Sequence, residues 1–333
     1  MFVVENVIQS VLRKNSESSL NILLIGAGNE KYTSLLCKTP HNFFLWDSPW
    51  NDSIEERPEN LSVINQAWPS RYFDMVICND RFDEYNHAAS LATKFHFPII
   101  LIDHCSSNVL ARTDAFGEVS VDSPQSLHKN PHAIISRSQY VNESWPHGKL
   151  RLVIPAAIDP ENFCIPPGRI VDPDIGEDLT DRRIVFDNSV SPQVGQVIFG
   201  AMGGKPYTVI PTDSPMKDKK RIYQQGDYFI NPKNHVTIKM LEAMLCGNIP
   251  VCFNRHDIQN FIENEKDGFI IDDLNDISSV ISHLDSLPEE KRQEIANNAR
   301  EKVISTHLST EEFVSKWESV FNYMKSQYYA AEV

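Results

Sequence analysis

The chain has 333 residues, 41% of them hydrophobic and 10% aromatic, enough to fill large cores and to suggest two domains. General disorder and a disulfide-held miniprotein are excluded. A formal net charge of −14 opposes an extended polyanion, so nucleic-acid binding is not expected, although a nucleotide held by backbone N–H groups and a few local cations is compatible with it.

The six cysteines (Cys37, Cys78, Cys105, Cys164, Cys246 and Cys252) are widely spaced without a CxxC pair, which fits reduced thiols better than a disulfide framework. His128 and His132 lack a companion ligand pair, so no metal site is predicted. The first ten residues show no secretory pattern, and the apolar run at 95–103 is too short to cross a bilayer. A cytoplasmic location is therefore expected, with peripheral membrane or protein-complex association left open.

Residues 1–150 alternate short apolar runs with polar, helix-like stretches. Strands are predicted at Ile22–Ile25, Phe43–Trp46, Leu61–Ile64, Met75–Cys78, Ile99–Asp103 and Ala133–Ile135, with a helical face along Tyr85–Phe95. This alternation predicts a parallel sheet covered by helices on both faces. The proline-rich segment Pro155–Pro173 then suits an inter-domain crossing. A second alternating region follows, with strands at 182–186, Tyr207–Ile210, Tyr228–Ile230, Ile249–Phe253 and Phe269–Ile271. Helices are predicted at about 192–202, 236–246, 256–264, 274–285, 288–305 and 310–326. The chain thus divides into a first α/β domain at 1–150, a second α/β domain with its linker at 151–309, which the resemblance described below makes the acceptor side and the nucleotide-sugar side, and a C-terminal helix at 310–333 that can return to the first domain.

Three segments carry candidate chemistry. After the first strand, Gly26 and Gly28 form a flexible turn that serves either as a tight reversal or as a close backbone approach to a phosphate or donor sugar. Lys31 occupies the position of a third fingerprint glycine, so the full dinucleotide pattern is absent. His104 directly follows a hydrophobic strand, where it either caps the strand or exchanges a proton near neutrality. Glu242 lies in an apolar helix, where a buried carboxylate requires polar partners: ribose hydroxyls, backbone amides or a cation. Farther on, Gly268 is predicted at the turn into the Phe269–Ile271 strand.

Together these landmarks resemble the nucleotide-sugar glycosyltransferases built from two facing Rossmann-like domains (the GT-B fold), particularly the retaining family-four group. The resemblance spans most of the chain: the helix, strand and histidine of Ala88–His104, the crossing at Leu152–Phe163, the donor-helix segment Leu241–Val251 and the glycine turn of Lys266–Ile271. It implies an α/β fold of GT-B type and retaining transfer of a sugar from a nucleoside-diphosphate sugar to a hydroxyl on a glycan, lipid-linked or protein-linked acceptor. That donor would be a substrate, with no tightly bound cofactor and no required metal. The family's two acids eight residues apart fall on Asn234 and Glu242, so the resemblance gives Asn234 the transferred sugar, Glu242 the ribose, and His104 the sugar or acceptor. Gly26 and Gly28 would approach the donor's phosphate side.

Two departures accompany the resemblance. Asn234 lacks the carboxylate charge, and the Arg and Lys that follow the first strand of the second domain in active relatives are missing from residues 187–195. Arg182 and Arg183 are expected to face solvent, leaving Lys205 or the Lys217–Arg221 cluster as displaced cations. The stretch between Ile184 and Ile230 is also too short for the usual number of strand and helix units. A catalytically inactive binding or scaffolding homologue is the alternative, and a nucleotide-sugar epimerase is a third, less similar one.

Overall fold

The computed structural model describes residues 19–26, 30–52, 54–64, 73–103, 131–143, 145, 150–163, 183–187, 192–210, 216–233, 235–254 and 258–329. They form two compact units. Unit 1 contains the described residues up to Ala157 together with those from Leu308 onward, and unit 2 runs from Ile158 to His307.

Unit 1 holds a seven-stranded parallel sheet: β1 (Asn21–Ile25), β2 (Asn42–Trp46), β3 (Leu61–Ile64), β4 (Met75–Asn79), β5 (Ile99–Asp103), β6 (Ala133–Ser136) and β7 (Leu150–Val153). Its order is β3-β2-β1-β4-β5-β6-β7, so the chain winds outward from β1 in one direction and resumes at β4 on the other side. β1 pairs with both neighbours in parallel register, Leu23 opposite Phe44 on one side and Val76 on the other. Helices α1 (Glu30–Leu36), α2 (Phe82–Phe95) and α3 (Gln139–Glu143) connect the strands. Tyr85, Ala88 and Ala92 on α2 share a core with Leu23, Val76, Leu101 and Ile134. The helical spacing of the first three and the strand positions of the rest are what a doubly covered parallel sheet requires.

The last helix, α4 (Thr310–Tyr329), belongs to unit 1 despite its distance in sequence. Phe313, Trp317, Val320, Phe321 and Met324 are buried along one stripe of it. The Phe313 ring meets Tyr32 edge-on at 5.3 Å between centroids, and Phe321 meets His41 at 5.1 Å. Such edge-to-face contacts follow the ring quadrupole and add to the area buried.

Unit 2 holds a five-stranded parallel sheet, β8 (Ile184–Asp187), β9 (Tyr207–Ile210), β10 (Tyr228–Asn231), β11 (Ile249–Phe253) and β12 (Phe269–Ile271), in the order β12-β11-β10-β8-β9. Its helices are α5 (Pro192–Ala201), α6 (Met216–Gln225), α7 (Ile238–Leu245), α8 (Ile258–Phe261), α9 (Asp276–Ser286) and α10 (Glu289–Thr306). Alternate strand residues feed two cores. Val185, Phe229 and Cys252 pack with α7 on one face, while Ile184, Phe186, Tyr228 and Val251 pack with α5 and α9 on the other. Among the described residues one strand, β9, lies on the outer side of β8, in keeping with the short stretch between Ile184 and Ile230.

The predicted α/β class and doubly wound sheets hold. The predicted strands recur within a residue or two, whereas α1, α3, β7 and α6 were not anticipated as elements. One correction concerns Arg183, expected in solvent: it is 6% exposed, and its guanidinium donates to Gln225 Oε1 at 3.0 Å. The backbone forces this, because Arg183 leads into β8 beside the end of α6 and its N–H is held by Asp227 at 2.9 Å.

Candidate functional site

In open α/β sheets, ligands bind outside the carboxyl ends of the strands where the winding order reverses. Unit 1 reverses between β1 and β4, and unit 2 between β8 and β10.

At the reversal in unit 1, Gly26 follows β1 with φ of +83°, a conformation that side chains other than glycine's resist. Asn79, the last residue of β4, donates through Nδ2 to the Gly26 carbonyl at 2.6 Å and to Glu84 Oε2 at 3.0 Å. Glu84 reaches back from the first turn of α2, and its carboxylate occupies the space of the missing Gly26 side chain: a Cβ there would stand 1.9 Å from Oε2. Burial raises the Glu84 pKa, with Asp83 and Asp80 adding to the rise while Asn79 and Arg81 oppose it. A small cavity beside this group is lined by Gly26, Tyr32, Thr33, Asn79 and Ile102. Gly28 and His104 lie outside the described residues. Asp103, just before His104, ends β5 and is buried, accepting a hydrogen bond from the Trp145 indole.

At the reversal in unit 2, Asn231 ends β10 and is 1% exposed. Its Nδ2 donates to the His235 carbonyl at 2.9 Å and contacts Met240 Sδ at 3.4 Å, while Oδ1 accepts from the Lys233 amide at 3.3 Å. These bonds clasp the loop before α7 to the strand end. Asn234, within that loop, lies outside the described residues. Thr237 caps α7 by accepting from the Met240 amide at 3.2 Å, satisfying one of the orphan donors of the first turn.

Glu242 sits one turn farther along α7 and is 2% exposed. Its Oε2 accepts from the Tyr223 hydroxyl at 3.1 Å. Tyr223 is itself fully buried on α6, near Phe163 and Phe229. Asn248 fixes both helices' ends, donating through Nδ2 to the Tyr223 carbonyl at 2.7 Å and the Ala243 carbonyl at 3.1 Å. The chain Asn248–Tyr223–Glu242 is therefore a built support for one buried carboxylate. Sequence reading singled out Glu242 but not Tyr223, Asn248 or Asn231. Their polar groups acquire meaning only when α6, α7 and β10 are packed, although an asparagine after a helix-ending glycine was a usable signal for Asn248.

The displaced cations separate by sheet edge. Lys205 precedes β9 at the amino edge, where it pairs with Asp285, which also accepts from the Tyr228 hydroxyl at 2.8 Å. It is thus committed away from the carboxyl ends. The Lys217–Arg221 cluster falls in the first half of α6, which follows the carboxyl end of β9, and Lys219 and Lys220 are partly exposed. His132, weighed above as a metal ligand, accepts the Ile99 amide through Nδ1 at 3.1 Å. No group of three or more His, Cys, Asp or Glu suited to a metal occurs among the described residues. No helix among them is long and apolar enough to cross a membrane.

Residues 197–313 match the family model described as glycosyl transferase-like, a segment that includes Tyr223, Asn231 and Glu242. No curated protein matches the sequence. Among solved structures, the sucrose-phosphate synthase of Thermosynechococcus elongatus is similar with a TM-score of 0.70 at 14% identity, covering 94% of this chain and 100% of that one. Anabaena HepE in complex with UDP-glucose gives 0.70 at 14% identity, covering 91% and 99%. The catalytic domain of Arabidopsis thaliana starch synthase IV, bound to ADP and acarbose, gives 0.57 at 13% identity, covering 93% and 100%. The described residues form two Rossmann-like α/β units in the GT-B architecture that these structures share, and the glycosyl transferase-like match lies within residues 197–313.

Proposed function

We propose that the protein transfers a sugar from a nucleoside-diphosphate donor to a hydroxyl of a glycan, lipid-linked or protein-linked acceptor, with retention of anomeric configuration, in the cytoplasm. The observation that carries this reading is the Glu242 carboxylate, held by Tyr223 beside the reversal point of unit 2 and inside the glycosyl transferase-like segment. A carboxylate accepts several hydrogen bonds, so the pair of hydroxyls on a ribose suits it. Two of the similar structures are described with UDP-glucose and with ADP, which supports a nucleotide donor.

In this reading Glu242 binds ribose, Asn234 exchanges hydrogen bonds with the transferred sugar, and His104 positions the sugar or the acceptor. The Gly26–Gly28 turn approaches the donor. Charge developing on the leaving diphosphate is met by backbone N–H groups and by the partly exposed lysines of α6 rather than by a bound metal. Positioning supplies the rest of the rate.

Titration of Glu242→Gln with UDP and GDP tests the assignment. About tenfold weaker binding of the preferred nucleotide is expected, the loss of one charge-assisted hydrogen bond. Unchanged affinity removes Glu242 from the ribose role. A second reading, a binding or scaffolding protein without turnover, is favoured by Asn234 and by the lack of Arg or Lys at residues 187–195. Product analysis separates the two, because transfer forms a new glycosidic bond and binding alone leaves both substrates intact.

A further inference from the structure

We propose that Tyr223 is a positioning residue of unit 2, whose hydroxyl fixes the Glu242 carboxylate so that it selects a ribose over a deoxyribose. The inference rests on the ribose role of Glu242 proposed above and adds to it the residue that makes the carboxylate selective.

Burial sets the direction of the bond. Tyr223 and Glu242 are both buried. An ionised carboxylate only accepts, so in the 3.1 Å contact with Glu242 Oε2 the phenol is the donor. A buried carboxylate depends on such donors, because a charge taken out of water without them is costly. Removal of the hydroxyl alone therefore acts first on Glu242.

The hydroxyl is also held independently of any ligand. The Tyr223 ring lies 6.1 Å from that of Phe229 on β10 and 6.3 Å from that of Phe163, between centroids. Its backbone carbonyl accepts from Asn248 Nδ2 at 2.7 Å and from the Gly226 amide at 3.1 Å. Arg300 on α10 donates through Nη1 to the Phe163 carbonyl at 3.0 Å and to the Leu245 carbonyl at the end of α7. One guanidinium thus ties the residue packed near the tyrosine ring to the helix that carries Glu242.

A carboxylate tethered at one oxygen in this way keeps one orientation. The neighbouring hydroxyls of a ribose are fixed relative to each other, so a fixed acceptor favours the pair, whereas a carboxylate that turns accepts a lone hydroxyl as readily. A site built to bond a substrate hydroxyl rejects the analogue that lacks it. Tyr223 therefore confers discrimination between nucleotides more than affinity for all of them.

The test is a titration of the full chain with UDP and GDP, each beside its 2′-deoxy counterpart, in the parent, Tyr223→Phe, Glu242→Gln and the double variant, with folding checked by hydrogen exchange over the β10 and β11 peptides. The parent should bind its preferred ribonucleotide about tenfold more tightly than the deoxy form, the worth of one charge-assisted hydrogen bond. Tyr223→Phe keeps the ring and its packing but should bring that ratio to about twofold or less, since the carboxylate is no longer steered. Added to Glu242→Gln, the same change should leave the ratio where Glu242→Gln alone puts it, because the tyrosine acts through the carboxylate. A purely structural role would instead weaken ribo and deoxy forms equally, and that result overturns the proposal. An unchanged ratio in folded Tyr223→Phe overturns it too, and the ribose role of Glu242 survives if Glu242→Gln abolishes the ratio. A parent that shows no ratio, or binds neither nucleotide, overturns the proposal together with the ribose role. Should Tyr223→Phe fail to fold, Phe163→Leu carries the test: it leaves the hydroxyl but loosens the ring, and the ratio should fall about threefold. An unchanged ratio there counts against Tyr223 in the same way.

Discussion

At the reversal point of unit 1 a carboxylate lies against a glycine turn and is steered by an asparagine on the neighbouring strand. At that of unit 2 the carboxylate is set back on the following helix, inside an apolar core, and is held by a tyrosine. Both units share parallel winding, and both place an asparagine on the last residue of the strand beside the reversal. The difference teaches that winding fixes where a ligand meets the sheet, while the helix after the strand fixes the charge it meets there. The units also differ in how they close. Unit 1 needs a helix from the far end of the chain, whereas unit 2 is covered by helices from within its own span.

Trp317→Ala strikes the second contrast hardest. Trp317 is fully buried against Tyr32, Phe313 and Phe321, so its truncation should destabilise unit 1 by about 3–5 kcal/mol. Urea unfolding combined with hydrogen exchange should show β1 and β2 opening early while β10 and β11 keep their protection. Equal loss in both units would show that they unfold as one.

Asn248→Ala tests the support behind Glu242. The Tyr223 and Ala243 carbonyls each lose one donor while keeping backbone amides, those of Gly226 and of Cys246 and Asn248, at a cost of about 1 kcal/mol. Nucleotide affinity should fall as well, because Tyr223 is no longer fixed. Full affinity in a folded Asn248→Ala protein would separate Tyr223 from the site.

Acid sharpens the comparison in another way. Burial lowers the His41 pKa in unit 1 and the His307 pKa in unit 2 to about 4 each, with Lys325 also opposing protonation of His41. His41 Nδ1 accepts the Leu20 amide at 3.3 Å, which assigns the proton of the neutral ring to Nε2, 3.2 Å from Glu318 Oε1. The unfolded chain binds more protons than the folded one between about pH 6.5 and 4, so stability should fall as pH drops through that window. Glu318, whose pKa burial raises, acts in the opposite sense: its contribution is present at low pH and fades as pH rises. Unfolding free energies measured from pH 4 to 7 should therefore flatten on His41→Gln in unit 1 and leave the His307-dependent part intact. An identical pH profile in parent and variant would assign the acid response elsewhere.

The smallest expected effect concerns the lysines of α6. If they assist diphosphate departure, Lys219→Gln with Lys220→Gln should slow single-turnover transfer severalfold while changing nucleotide affinity less. Equal rates would leave the leaving group to backbone N–H groups alone.

The strands were legible because each is a run of apolar residues bounded by turn chemistry, and both faces of a parallel sheet are buried. α6 was not, because Lys217–Arg221 reads as a polar surface, and the apolar contacts of its described residues come from Ile222 and Tyr223 near its end. Gly268 shows a correct position with an unexpected reason. It does lead into β12, but the left-handed residue of that turn is Glu265, with φ of +66°. Gly268 is there for close approach, since a Cβ would stand 2.8 Å from Pro250 Cγ and 3.0 Å from Ile262 Cγ2.

The sequence alone determined the parallel α/β class, the placement of the strands and the presence of one carboxylate in an apolar helix, because these follow from periodicity and from the cost of burying charge. Tertiary structure decided who answers that charge. Tyr223 is 19 residues from Glu242, Arg183 is 42 from Gln225, and Tyr32 meets a helix that begins at Thr310. A hydrogen bond depends on distance and angle in space, and neither is encoded in the spacing of residues along the chain once several elements lie between them.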